Sequence, residues 1–144
     1  MNVRVRIAFV AALATVALAG CAQSTAEAAP EPPAAVSEPI AGSELLRITL
    51  VEEAVQRLAI ETAEVVEVGP DLAIPYGALL YDAQGGAWAY TNPEPLVFVR
   101  EAIEVDHIED DLVILSAGPA PGTAVITVGA AELYGVESGV GGGH

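Results

Sequence analysis

The chain has 144 residues, of which 20 are acidic and 5 basic, with no lysine and a formal net charge of −15. Such a field repels phosphate backbones and anionic headgroups, which argues against nucleic acid as a partner. A single cysteine excludes an internal disulfide framework, and the length suffices for one modest core.

Arg4 and Arg6 precede an apolar run from Ile7 to Leu18 that only Thr15 interrupts. A basic start followed by such a run reads as a secretory signal peptide, too short and wrongly flanked to span a membrane. Leu18-Ala19-Gly20-Cys21 follows. Small residues suit a cleavage point, and a thiol directly after it can form a thioether to diacylglycerol. The four residues resemble the bacterial lipobox, so residues 1–20 are expected to be removed and Cys21 to carry the lipid anchor. The chain is then an extracytoplasmic, membrane-anchored lipoprotein, in the periplasm or on the outer face of the cell membrane. Several acyl chains, palmitate among them, hold such an anchor where one chain binds only marginally. The plainer alternative is an ordinary signal peptide with a stray exported thiol. Without residues 1–20, Arg47, Arg57 and Arg100 stand against all 20 acids. That surface suits a cationic partner or metal ions, or it simply keeps a small domain solvated.

Residues 21–43 are rich in Ala, Pro, Ser and Glu and contain Pro30, Pro32, Pro33 and Pro39. They bury too little apolar area to offset ordering entropy, so this stretch is expected to be a disordered, partly extended tether. A folded domain is expected over residues 44–137. Leu46-Arg47-Ile48 reads as a strand, and Thr49 three residues before Glu52 matches a capping box. Val51, Ala54, Val55 and Leu58 share one helical face, which predicts one short helix from Val51 to Leu58. Ile60 to Val68 is β-branched and half apolar, and its alternation slips at Val65-Val66 as at a β-bulge or a strong twist. Gly69-Pro70-Asp71 ends it.

Strand and turn text follows. Leu72–Pro75, Ala78–Tyr81, Ala87–Thr91 and Leu96–Arg100 are short apolar pieces separated by Asp82–Gly86 and Asn92–Pro95. Ile103, Val105 and His107 alternate with Glu104 and Asp106. Glu109-Asp110-Asp111 turns the chain into Leu112–Leu115, and Thr123–Val128 is the last strand. The expected fold is mainly β, a small barrel or roll with one short helix. Residues 138–144 are expected to be a flexible, glycine-rich tail.

Ile48–Ala54 continuing to Leu58–Ala63, then Ile74–Leu79 with the aromatic hairpin to Arg100, and finally Thr123–Leu133 appear in a suggestive order. Together they resemble the membrane-proximal domain of periplasmic adaptor subunits, the membrane fusion proteins of resistance-nodulation-division efflux systems. Adaptors of that family insert a barrel, a lipoyl-like domain and usually a helical hairpin between the first and second of these segments. Here only Val66 to Leu72 joins them, so the resemblance implies that domain with its middle excised. It implies docking on an inner-membrane transporter or a full-length adaptor, without a bridge to an outer-membrane channel. A decayed fragment that folds and does nothing is the idle version of the same resemblance.

No glycine-rich phosphate loop, Gly-x-Ser-x-Gly elbow or His-Glu-x-x-His helix is present, so no catalytic residue is assigned and no cofactor beyond the lipid is expected. Among the aromatics, Phe98 and Trp88 are expected in the core. Tyr76 and Tyr90 are expected at a partner-binding surface. The competing function is an extracytoplasmic metal- or ligand-binding lipoprotein that uses its acidic surface. Asp106, His107 and Glu109 are its candidate ligands, because imidazole with carboxylate suits zinc, copper or nickel. The plainer reading of that run is a solvated turn with one strand-end histidine, and no spaced ligand pair fixes a metal's first shell.

Overall fold

Eleven strands and two short helices make up residues 33–139, the part of the chain that the computed structural model describes. The expected signal peptide, Cys21, the start of the tether, and the tail from residue 140 lie outside the described residues. In chain order the elements begin with β1 (Ala35–Pro39), β2 (Leu46–Leu50), α1 (Glu52–Arg57), β3 (Glu61–Glu64), β4 (Val66–Val68) and β5 (Asp71–Pro75). A 3-10 turn (Tyr76–Ala78) leads to β6 (Leu80–Tyr81), β7 (Ala87–Glu94), β8 (Val97–Ala102), β9 (Glu104–Glu109) and β10 (Leu112–Ala117). The last two elements are β11 (Ala124–Val128) and α2 (Ala130–Glu137).

The fold is mainly β, but its sheets do not close into a barrel. One antiparallel sheet runs β1-β2-β8-β7-β11-β3 with β6 also on β7, and a second runs β4-β5-β10-β9. Two single residues carry the chain between them. Val65 separates β3 in the larger sheet from β4 in the smaller one, and Ile103 separates β8 from β9 in the same way. Both side chains are buried. Their backbones stay paired, Val65 N–H with the Thr123 carbonyl at 2.9 Å and Ile103 N–H with the Ala87 carbonyl at 3.0 Å. The slip at Val65-Val66 is therefore a corner at which a strand changes sheets, not a bulge within one sheet.

Two apolar clusters result. Ile48, Leu50, Tyr90, Phe98 and Ile126 pack with Ala54 of α1 and with Ala130 and Leu133 of α2. Val65, Ile74, Ala89, Val113, Leu115 and Val125 pack between the two sheets. Neighbouring residues of β7, Ala89 and Tyr90, thus enter opposite clusters, as do Val125 and Ile126 of β11. A strand buried on both faces reads as a continuous apolar run instead of a clean alternation.

Several local expectations change. Ala35–Pro39, placed in the tether by its composition, is the edge strand β1, paired with β2 from Ala35↔Leu50 to Pro39↔Leu46. Main-chain hydrogen bonds hold it while most of its side chains stay exposed, so its composition carries no trace of the pairing. The folded part accordingly begins before residue 44. The capping box does not form: Thr49 belongs to β2, opposite Val36 and Val97, and Val51 caps α1 without a side-chain bond. That helix ends instead in a Schellman arrangement, with Ala59 N–H on the Gln56 carbonyl and Ile60 N–H on that of Val55. A second helix, α2, lies beyond the one helix that the sequence predicts, with Ala130, Leu133 and Tyr134 at helical spacing. Gly129 starts it at φ +94°, a conformation that L side chains rarely adopt, and a Cβ there would lie 3.1 Å from Ile60 Cγ1. Asn92-Pro93-Glu94 continues β7, and the turn falls on Pro95-Leu96, with Leu96 at φ +65°.

Leu133 is wholly buried against the larger sheet. Leu133→Ala is expected to cost about 2–5 kcal/mol in urea denaturation, as cavity-forming substitutions do. An unchanged midpoint would mean that α2 is not part of the core.

Candidate functional site: a buried arginine beneath an open groove

Strands β7 and β8 pair Tyr90 with Arg100 and Trp88 with Ala102, so Trp88, Tyr90 and Arg100 share one face of the larger sheet. Arg100 sits beneath α2 with only 14 % of its side chain exposed, which requires a countercharge. Glu137, at the end of α2 and 6 % exposed, supplies it: Arg100 Nη2 lies 3.2 Å from Glu137 Oε1. The other carboxylate oxygen, Oε2, accepts the Tyr90 hydroxyl. The guanidinium also stacks over the Trp88 ring, 4.1 Å from its centroid, and over that of Tyr134 at 5.5 Å. Among the described residues Arg100 Nε finds no hydrogen-bond acceptor.

The far edge of Trp88 is fastened by the turn before β7. Its Nε1–H donates to Asp82 Oδ2 at 2.8 Å, while Asp82 Oδ1 accepts Gly86 N–H at 2.7 Å and Gln84 N–H at 3.0 Å. The Trp88 bond first, and the Gly86 bond next, hold the Asp82 carboxyl below its ordinary range, so it stays ionised in mild acid. Gly86 leaves room for this, since a Cβ would meet Asp82 Oδ2 at 2.8 Å and Trp88 Nε1 at 2.9 Å and force that hydrogen-bonded pair to shift.

Above this cluster lies an open groove of about 720 Å³, lined by Ile40, Leu45, Val99 and Trp88 among others. Glu44, Glu101 and Asp82 also line it. The geometry can hold a partner side chain or segment.

The two tyrosines chosen from sequence separate. Tyr76 is 56 % exposed, as a docking residue must be. Its N–H bonds the Asp111 carbonyl at 2.8 Å, and its neighbour Pro75 pairs with Leu112, which in turn pairs with Glu109. Exposed Leu112 therefore sits near Tyr76 at one end of the smaller sheet, whereas exposed Ile108, paired with Val113, lies on the opposite face from Leu112. Tyr90 is fully buried, which corrects its assignment to a partner-binding surface: α2 covers it and its hydroxyl is spent on Glu137. Phe98 is in the core, whereas Trp88 is only partly buried, on the floor of the groove.

Asp106, His107 and Glu109 are all exposed. Asp106 Oδ2 lies 2.7 Å from His107 Nδ1, and Glu109 Oε2 lies 3.9 Å from Nε2, so the carboxylates sit at opposite ends of the ring. That arrangement raises the histidine pKa, chiefly through the Asp106 hydrogen bond, and does not converge on one point. Among the described residues no group of three or more His, Cys, Asp or Glu side chains is arranged to hold a metal ion. Sequence reasoning passed over Arg100, Glu137 and Asp82. The available signal was a lone arginine at the end of the apolar run Leu96–Arg100 in a chain this acidic.

Burial first, then the Glu137 bond, pushes the Tyr90 phenol well above its ordinary value of 10.0. The folded state thus favours the neutral phenol. Its contribution to stability is whole below about pH 10 and falls as the unfolded chain begins to ionise above that pH. Tyr90→Phe is expected to lose about 1–3 kcal/mol near neutral pH, since a charge-assisted bond goes with the hydroxyl. The variant should also lose less further stability than the parent chain between neutral pH and about pH 11 in denaturant titrations. Parallel pH curves for the two proteins would contradict this placement of Tyr90. Comparison with protein families, curated proteins and solved structures returns no match to this chain.

Proposed function

We propose that the chain is a non-enzymatic, membrane-tethered interaction module, anchored by lipid on Cys21, that docks on an inner-membrane transporter or a full-length periplasmic adaptor. The lipobox-like Leu18-Ala19-Gly20-Cys21 and the adaptor-like order of segments support this reading from the sequence. The observation that carries it is exposed Tyr76 with exposed Leu112 near it at one end of the smaller sheet. Large apolar side chains exposed on so acidic a chain are costly to leave in water, and a tyrosine is a common interface anchor. Tyr90 has no part in this surface.

The tether and the docking are tested separately. Cys21→Ser should move the protein from the membrane fraction to the soluble extract and abolish incorporation of labelled palmitate. Retention of both in the variant would overturn the anchor. For docking, a photo-crosslinking amino acid at position 76 of the lipidated chain, in its native membrane, should capture an inner-membrane transporter or a full-length adaptor. Leu112→Ala should weaken that capture several-fold. Efficient photolysis with neither kind of partner recovered would sink the docking reading.

A further inference from the structure

We propose that the groove between the β1–β2 hairpin and β8 receives a basic segment of a protein partner. Lysine or arginine side chains of that segment lie along its apolar wall and meet Glu44 and Glu101. This deepens the docking reading and rests on it only in taking the occupant to be a protein.

The site is charged in one sense. Glu44, Glu101 and Asp82 line the groove, and among the described residues neither Glu44 nor Glu101 makes an ion pair. Arg100, the one cation lining it, is already spent on Glu137 and on the face of Trp88. Its charge is compensated from below, which leaves the groove acidic at its surface. The chain has no lysine of its own to fill it. Lysine and arginine combine an apolar stem with a charged tip, and Ile40, Leu45 and Val99 offer the stem a wall while the glutamates meet the tip.

The wall is also pre-formed. Ile40 N–H bonds the Leu45 carbonyl at 3.1 Å, Ser43 N–H bonds the Ile40 carbonyl at 3.1 Å, and Ser43 Oγ accepts Leu45 N–H at 3.0 Å. Leu45 and Glu101 each lie two positions beyond the paired residues Arg47 and Val99, so the hairpin and the end of β8 run side by side at the groove. Little ordering entropy remains to be lost on binding. A small organic cation fits less well, because small-molecule sites enclose most of their ligand and this groove is open along its length.

Trp88 is the only tryptophan in the chain and lines the groove, so its fluorescence reports occupancy directly. The probe is a capped peptide of alternating leucine and lysine, titrated into the full chain, with a leucine–glutamate peptide of equal length as its counterpart. The lysine peptide should shift Trp88 emission saturably, and Glu44→Gln with Glu101→Gln should weaken it about tenfold, as loss of paired interface charges does. Glu52→Gln with Glu53→Gln, which removes the same charge from exposed α1, should change the affinity less than about twofold. Equal weakening by the two double variants would mean general attraction to an acidic surface and would overturn the proposal. So would binding of the glutamate peptide instead, which would make Arg100 the recognising group, or an emission change that tracks self-association in gel filtration. Position 76 separates this from the docking reading. If crosslinks there persist while the lysine peptide fails to bind, the groove proposal falls and docking stands. If the peptide binds through Glu44 and Glu101 while position 76 captures no transporter or adaptor, the reverse holds.

Discussion

Strands β7 and β11 are buried on both faces, and the rest of the fold is arranged to keep those faces dry. Their alternate residues, Ala89 and Val125 against Tyr90 and Ile126, need two separate covers. The helices α1 and α2 supply one cover and the smaller sheet the other. A chain with one tryptophan and two phenylalanines cannot thicken a single cluster with large rings, so it divides its apolar residues between two thin ones. Val65 and Ile103 make this division possible, since each lets a strand leave one sheet and continue in the other with its backbone still paired. A buried apolar side chain at each corner keeps the two sheets in contact where the chain crosses.

Electrostatics follows from the same layering. A helix laid over the larger sheet covers Arg100, and a covered guanidinium must be compensated from within. Glu137 does this from α2, and in doing so joins the end of that helix to β7 through Tyr90 and to β8 through Arg100. The side chain that neutralises the arginine therefore also helps hold the helix over it. Trp88 completes the arrangement by lending one face to the guanidinium and its indole N–H to Asp82. The groove is the surface of this cluster: its floor is set by buried contacts and its acidic character by residues that those contacts leave untouched.

The proposed role draws on two separate surfaces. Exposed Tyr76 and Leu112 lie at one end of the smaller sheet, and the acidic groove lies where the β1–β2 hairpin meets β8 of the larger one. A partner that met both would be read by shape and apolar contact at one and by charge at the other. Such a division gives specificity from the apolar anchor and a fast, salt-dependent approach from the charge.

Taken by itself, the sequence determined the mainly β class, the positions of most strands and of α1, the turns at Gly69-Pro70 and Asp110, and the lipobox-like segment that motivates the tether. These rest on local chemistry: alternation, helical spacing, turn residues, and small residues before a thiol. Tertiary structure alone decided which strands share a sheet, because Val65 and Ile103 look like any other β-branched residue in an apolar run. It also decided that Ala35–Pro39 is a strand, since an edge held by main-chain bonds leaves no mark on side-chain composition. The parity of β7 placed Trp88 and Tyr90 on one face, yet their depths differ because α2, some 40 residues later, covers Tyr90 and leaves the outer edge of Trp88 open. Burial is a property of what arrives on top of a residue, and no window along the chain around Tyr90 contains Glu137 or Leu133.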